Sequence, residues 1–208
     1  MRAPLPRPRR LGCAVALLAL ALTVAACSSS DGRQLAEPDP DLTATTPPTT
    51  AAPTTLAPFL SLSSPVVAVN GSLPVRFTCD GQDVSPPLTI AEVPATAESL
   101  VLALTDPDAG DFVHWVVAFI PPTTTELAAD SVPAGAVVYP NDFGNQDYDG
   151  PCPPEGELHN YVFTVYVLQP NAADFVGPDE TNGASLLDTV SRLAATSAAF
   201  TVTYERAG

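Results

Sequence analysis

The sequence predicts a mainly β domain, a β-sandwich with one C-terminal helix. Three observations predict it. Runs of β-branched, aromatic and aliphatic residues of strand length recur from Ser61 onward, a composition that suits a pleated, buried surface. Turn-forming and proline pairs, Asn70-Gly71 and Pro121-Pro122 among them, punctuate these runs. Only one segment, near the C-terminus, spaces its apolar residues as a helix does. No internal repeat of roughly 20–50 residues is present, so a solenoid or propeller is not expected.

Taken in order, Val66 to Val69 reads as a short strand closed by the turn dipeptide Asn70-Gly71. Leu73 to Thr78 reads as the next. Ser99 to Thr105 is a continuous apolar run, the pattern of a strand covered on both faces. Phe112 to Ile120 repeats that pattern and stops at Pro121-Pro122. Tyr161 to Leu168 is rich in β-branched and aromatic residues, and Ala198 to Tyr204 forms the last strand. Between these two, Leu186, Leu187, Val190, Leu193 and Ala194 follow helical spacing. Ser185 with Asp188 three residues on resembles a capping box at the start of that helix.

The N-terminus sets an expected compartment. Arg2 to Arg10 is basic, and Leu11 to Ala26 is an apolar stretch of sixteen residues. A membrane span needs roughly 20, so the stretch suits a secretory signal better. Val24-Ala25-Ala26 precedes Cys27 and Ser28-Ser29-Ser30 follows it. Small residues before a cysteine resemble the lipobox of bacterial lipoproteins. That resemblance implies a signal peptide over residues 1–27 and a lipid on Cys27. It places the mature chain at the cell membrane, lipid-anchored on the extracytoplasmic face. A simple cleaved signal is the alternative. Residues 28–60 then read as a disordered Thr/Pro-rich tether, since 43–58 alone hold seven threonines and four prolines. At about 3.1 Å per residue such a tether reaches on the order of 90 Å. Residues 61–208 remain as one domain.

Charge narrows the partners. The chain has no lysine, and four of its eight arginines precede Cys27, whereas all 23 acids follow it. The mature chain thus sets four arginines against 23 acids, a net charge of −19. Such a surface repels phosphate backbones, which excludes nucleic acid as a partner, and it disfavours adsorption to anionic lipid. There is no G-x-S-x-G, Walker A or dinucleotide fingerprint to support a hydrolase, kinase or oxidoreductase. No cofactor is expected.

Polar residues concentrate in three places: Asp106-Pro107-Asp108-Ala109, His114-Trp115, and the proline-stiffened loop from Asp149 to Tyr161. Both histidines of the chain lie in these segments. With Ser85-Pro86-Pro87-Leu88, Phe77-Thr78-Cys79-Asp80-Gly81, Asn141-Asp142-Phe143-Gly144, Gly150-Pro151-Cys152-Pro153-Pro154 and His159-x-Tyr161, these segments resemble the phosphatidylethanolamine-binding protein family. The bacterial Raf-kinase-inhibitor-like branch is the most similar. The resemblance covers roughly residues 62–205.

It implies two antiparallel sheets with a C-terminal helix, and a small pocket for an anion or a phospholipid headgroup such as phosphoethanolamine. Carried over by motif, Asp106 and Asp108 line one wall, His114 and His159 reach in from two strands, and Gly150, Pro154 and Tyr161 close the rim. Three positions depart from the family pattern. Asn160 stands where an arginine is usual, which removes a cation near the rim. Gly110 replaces a proline after Asp106-Pro107-Asp108-Ala109, and Ile90 replaces a tryptophan. The resemblance brings Cys79 and Cys152 to the pocket end, where they form a disulfide or remain as buried free thiols. Three rival readings stand beside the binding protein: a protein-partner-binding or inhibitory module that uses the rim, a hydrolase with Cys152 and His159, and a metal site. No catalytic residue is expected. His114, His159, Asp106 and Asp108 include metal-ligand types but lack the spacing of a metal motif, so no metal is expected either.

Overall fold

The computed structural model describes residues 59–172 and 182–208. The expected signal segment, Cys27 and all but the last two residues of the expected tether lie outside them. Eight strands and one helix follow in order: β1 (Ser61–Ser63), β2 (Leu88–Ala91), β3 (Ser99–Asp106), β4 (Phe112–Ile120), β5 (Glu126–Leu127), β6 (Val137–Tyr139), β7 (Leu158–Leu168), α1 (Gly183–Leu193) and β8 (Thr196–Glu205). They form a small sheet in the order β1-β2-β5 and a large one in the order β6-β4-β3-β7-β8. Every pairing within them is antiparallel.

The large sheet is covered on both faces, and this explains its apolar runs. In β3, Leu100, Leu102 and Leu104 enter the main core with Ile90, Trp115, Phe163 and Phe200. The alternate residues Val101 and Ala103 face the other way and meet Leu186 and Val190 of α1. Each large aliphatic side chain buried this way contributes about 1.5–3 kcal/mol, so the central strands carry little polar residue on either face.

Two segments differ from the sequence reading. Val66 to Val69 is not a strand; it is a tight turn bridged at Ser64 and Val67. Leu73 to Thr78 holds a 3-10 turn at Val75–Phe77, which opens after Pro74. The first stretch buries only Val67 and the second only Leu73 and the Phe77–Thr78 pair, and proline removes the N–H that a strand ladder requires. The helix also starts differently. Its cap is Asn182, whose side chain accepts the Ser185 N–H at 2.9 Å. Ser185 and Asp188 therefore lie inside the first turns, and Asp188 pairs with Arg192 at 2.6 Å.

β4 carries an irregularity that matters for function. Leu104 pairs with Trp115 and Thr105 with Val113, so His114 is an extra residue opposite one step of β3. This β-bulge re-aims side chains. Val113 packs on the helix side and Trp115 on the sandwich side, although two-residue spacing would put both on one face. His114 sits at the switch.

Candidate functional site

A cavity of about 190 Å³ opens at one end of the large sheet. Asp106, Ala109, Phe112, His114, Phe143, Cys152, Pro153, Pro154 and His159 line it. The strands supply the polar groups: β3 ends in Asp106, the bulge of β4 presents His114, and β7 begins next to His159. Pockets that take drug-sized ligands span roughly 300–1,000 Å³, so this cavity suits a smaller molecule.

Asp106 is the electrostatic centre. Only 3% exposed, it accepts the Ala109 N–H at 3.1 Å on one oxygen and meets His159 Nδ1 at 2.8 Å with the other. The first bond closes the Pro107–Ala109 turn, after which Gly110 takes a left-handed φ of 73°. Glycine adopts that conformation without strain, which fits its presence where the family has proline.

The two histidines are held differently. His159, with 13% of its side chain exposed, also has Glu157 Oε2 at 3.4 Å from Nε2. The Asp106 hydrogen bond, with help from Glu157 and Asp108, raises its pKa above the ordinary value. His114 is 4% exposed, and its Nδ1 lies 2.8 Å from the Asp149 carbonyl. A carbonyl only accepts, so Nδ1 carries the hydrogen and a neutral ring keeps Nε2 as an acceptor. Burial pushes the His114 pKa down, against the opposing pull of nearby carbonyls and carboxylates.

Three expected residues stand outside the cavity lining. Asp108 Oδ2 accepts both the backbone N–H of Asn160 at 2.7 Å and its side-chain amide at 2.9 Å, and these bonds lower the Asp108 pKa. The asparagine in the arginine position therefore ties Asp108 to β7. Gly150 lies behind the wall: its N–H donates to Asp83 at 2.7 Å, and a Cβ there would stand 2.5 Å from the Phe77 carbonyl. Tyr161 is the floor beneath both imidazoles. Its ring meets His114 edge-on at 5.4 Å and stacks on His159 at 6.3 Å. Its hydroxyl is buried without a well-formed hydrogen bond. Burial, then the Asp106 charge, raises its pKa strongly.

Cys79 and Cys152 form a disulfide with Cα atoms 5.4 Å apart. Cys152 therefore has no thiolate, and the nucleophile reading for it is overturned. The bond fixes the Gly150–Pro154 loop to the segment after the Val75–Phe77 turn, where Cys79 N–H also meets the Pro151 carbonyl at 3.3 Å.

Sequence reasoning missed the aromatic wall and its support. Phe112, His114 and Phe143 pack edge to face, with centroids 4.8–5.5 Å apart. Phe143 is 52% exposed and is placed by Asn141, whose buried carbonyl oxygen accepts the N–H groups of Phe143 and Asn145, each at 3.0 Å. The same amide donates to the His114 carbonyl at 3.1 Å and to Asp149 Oδ2 at 2.5 Å. Asn141 thus knots the loop that orients His114. The Asn141-Asp142-Phe143-Gly144 motif was its only signal in the sequence.

A model of the family described as phosphatidylethanolamine-binding protein matches residues 63–205. The chain belongs to that family. It is 41% identical over 158 residues to a Mycobacterium tuberculosis protein that carries the lipoprotein name LppC, a match covering 74% of this chain and 78% of that one. It is 30% identical to YbcL of E. coli, whose crystal structure covers 70% of this chain and 98% of its own at a TM-score of 0.63. The structure of CT736 from Chlamydia trachomatis is similar at 32% identity and a TM-score of 0.61, covering 71% of this chain and 97% of that one. The two-sheet architecture with one helix is that of the family.

Proposed function

We propose that this chain is a lipid-anchored, extracytoplasmic binding protein whose cavity takes a small polar molecule of the phospholipid-headgroup type, such as phosphoethanolamine or a related anion. One observation carries the reading. Two imidazoles and one buried carboxylate converge on a cavity of about 190 Å³, walled by prolines and a disulfide-held loop. A preformed wall lowers the ordering cost of binding. Family membership supports the ligand class, and the lipoprotein name of the Mycobacterium relative supports the anchor and the signal segment over residues 1–27. Residues 28–60 would hold the domain away from the bilayer. Binding rather than turnover is proposed, because the cysteine that lines the cavity is held in a disulfide.

The test is a titration of the full chain with phosphoethanolamine, followed through its two imidazole NMR signals. Both rings should move together and saturate. If neither moves, the headgroup reading fails. A Cys27→Ser chain should leave the membrane fraction; if it stays there, the lipid anchor fails.

A second reading has its own support. Phe143 and Leu158 (59% exposed) present apolar surface near the rim, as a partner-binding or inhibitory module would need. Partner capture should then depend on Leu158 and survive the loss of either histidine.

A further inference from the structure

A second cavity, of about 340 Å³, shares no lining residue with the first. Asp83, Asp130 and Asp147 bring three carboxylates to it, and no arginine lines it. Asp83 accepts the Gly150 N–H at 2.7 Å on one oxygen, and Asp147 accepts the Tyr148 N–H at 2.8 Å on one of its own. Among the described residues, the second oxygen of each and both oxygens of Asp130 keep their full acceptor capacity.

Two buried donors share that lining. Ser85 is 3% exposed and Trp115 2%. Neither the Ser85 hydroxyl nor the Trp115 indole N–H makes a well-formed hydrogen bond within the described residues. Neither is sealed from solvent, as the unpartnered Ser99 and Tyr161 hydroxyls are. Both groups therefore open onto the cavity they line. A buried polar group costs free energy until a partner meets it. The wall around them is preformed. The Asp130 N–H donates to the Ser85 carbonyl at 3.1 Å. Tyr148 meets Trp115 edge-on, with centroids 5.5 Å apart, and its hydroxyl donates to the Phe77 carbonyl at 2.8 Å.

This lining selects by charge and by hydrogen-bond type. Three carboxylates repel an anion. An ammonium or guanidinium group only donates, so it leaves the indole N–H, itself only a donor, without a partner. A hydroxyl both donates and accepts. A ring carrying several hydroxyls can therefore meet the carboxylates and the two buried donors at once. Gln82 and Ser131 add groups of both kinds, and Val132 (42% exposed) adds apolar surface for the C–H face of such a ring. We propose that this second cavity binds a sugar residue, whose hydroxyls donate to Asp83, Asp130 and Asp147 and accept from Ser85 and Trp115. The site is separate from the headgroup cavity, and neither reading depends on the other.

Trp115 is the only tryptophan of the chain, so a single indole N–H signal in the NMR spectrum reports on the site. The test titrates the full chain at neutral pH with glucose, galactose, mannose and arabinose and follows that signal. At least one sugar should shift it and saturate. Ser85→Ala should weaken that sugar roughly threefold to tenfold, the scale of one neutral hydrogen bond. Asp130 is exposed, with a left-handed φ of 56° that asparagine also tolerates. Asp130→Asn should weaken the sugar roughly threefold or more, because a charge-assisted bond becomes a neutral one. An indole signal that no sugar moves to saturation overturns the inference. Sugar binding that is indifferent to every folded variant of the two also overturns it. So does ethylammonium or N-methylacetamide that saturates the signal as tightly as the best sugar, which would make the site one for a cation or for a peptide.

Discussion

The two walls of the cavity each present a histidine, and the two histidines are opposites. His114 sits in a bulge of a strand buried on both faces, gives its Nδ1–H to a loop carbonyl, and is pushed toward the neutral form by burial. His159 stands at the open end of β7, meets carboxylates at both ring nitrogens, and is held toward the charged form. The lesson is that residue type alone does not assign a role. His114 depends on a loop tied by a disulfide and by Asn141, whereas His159 depends on a carboxylate at the end of the neighbouring strand. One wall is positioned through the loop and the other through the sheet, so the two should respond differently to damage.

The largest expected effect comes from cutting the disulfide. Cys79 and Cys152 are 73 residues apart, and closing a loop of that length stabilises by on the order of 4 kcal/mol in the chain-entropy model. The double variant Cys79→Ala/Cys152→Ala should lose about that much in a denaturant melt. The loosened loop admits water to the His114 ring, so burial, the main cause of its shift, weakens and the His114 pKa should rise toward its ordinary value while His159 stays as it was. Equal changes in both histidines would mean that the two walls are one unit.

A smaller effect tests the opposed titrations directly. His114 has its folded pKa below 6.5, so its contribution is complete above 6.5 and is lost as pH falls toward the folded value. His159 has its folded pKa above 6.5, so its contribution is complete below 6.5 and is lost as pH rises through the folded value. Together they should give a stability maximum near pH 6.5. Asp106→Asn removes the main cause of the His159 shift and one charge-assisted hydrogen bond, a cost of about 2 kcal/mol. In that variant the alkaline decline should flatten while the acid decline remains. Denaturation midpoints measured from pH 5 to about 8 would show it, and an unchanged alkaline limb would refute the pairing of His159 with Asp106.

Much of the fold was legible because the large sheet writes itself into composition. A strand buried on both faces admits few polar residues, so Ser99 to Thr105 and Phe112 to Ile120 stood out, and both are strands. β1, β2, β5 and β6 are two to four residues long, too short for any periodicity to show. The site was legible in part. Asp106, His114, Pro154 and His159 do line one cavity, and the motifs brought them together only through family resemblance. The bulge was not legible, because strand register is set by pairing across space and His114 looks like any other residue of its run. The aromatic wall was missed because Phe143 lies in a loop, where an apolar residue carries no periodic signal.

The smallest expected effect lies under both walls. Tyr161 packs its ring against His114 and His159, and its hydroxyl is buried with no well-formed hydrogen bond among the described residues. A buried polar group without a partner has lost its hydration and gained nothing in return. Tyr161→Phe keeps the ring and removes only that oxygen. The variant should melt within about 1 kcal/mol of the parent, on the stabilised side if it moves at all. Both imidazoles should keep their pKa order, since burial and carboxylates set the shifts and the phenol is neutral throughout. A loss of about 2 kcal/mol or more would show that the hydroxyl bonds to Asp106 in solution. The carboxylate would then be shared between the floor and the β7 wall, and the two halves of the cavity would be coupled through one residue.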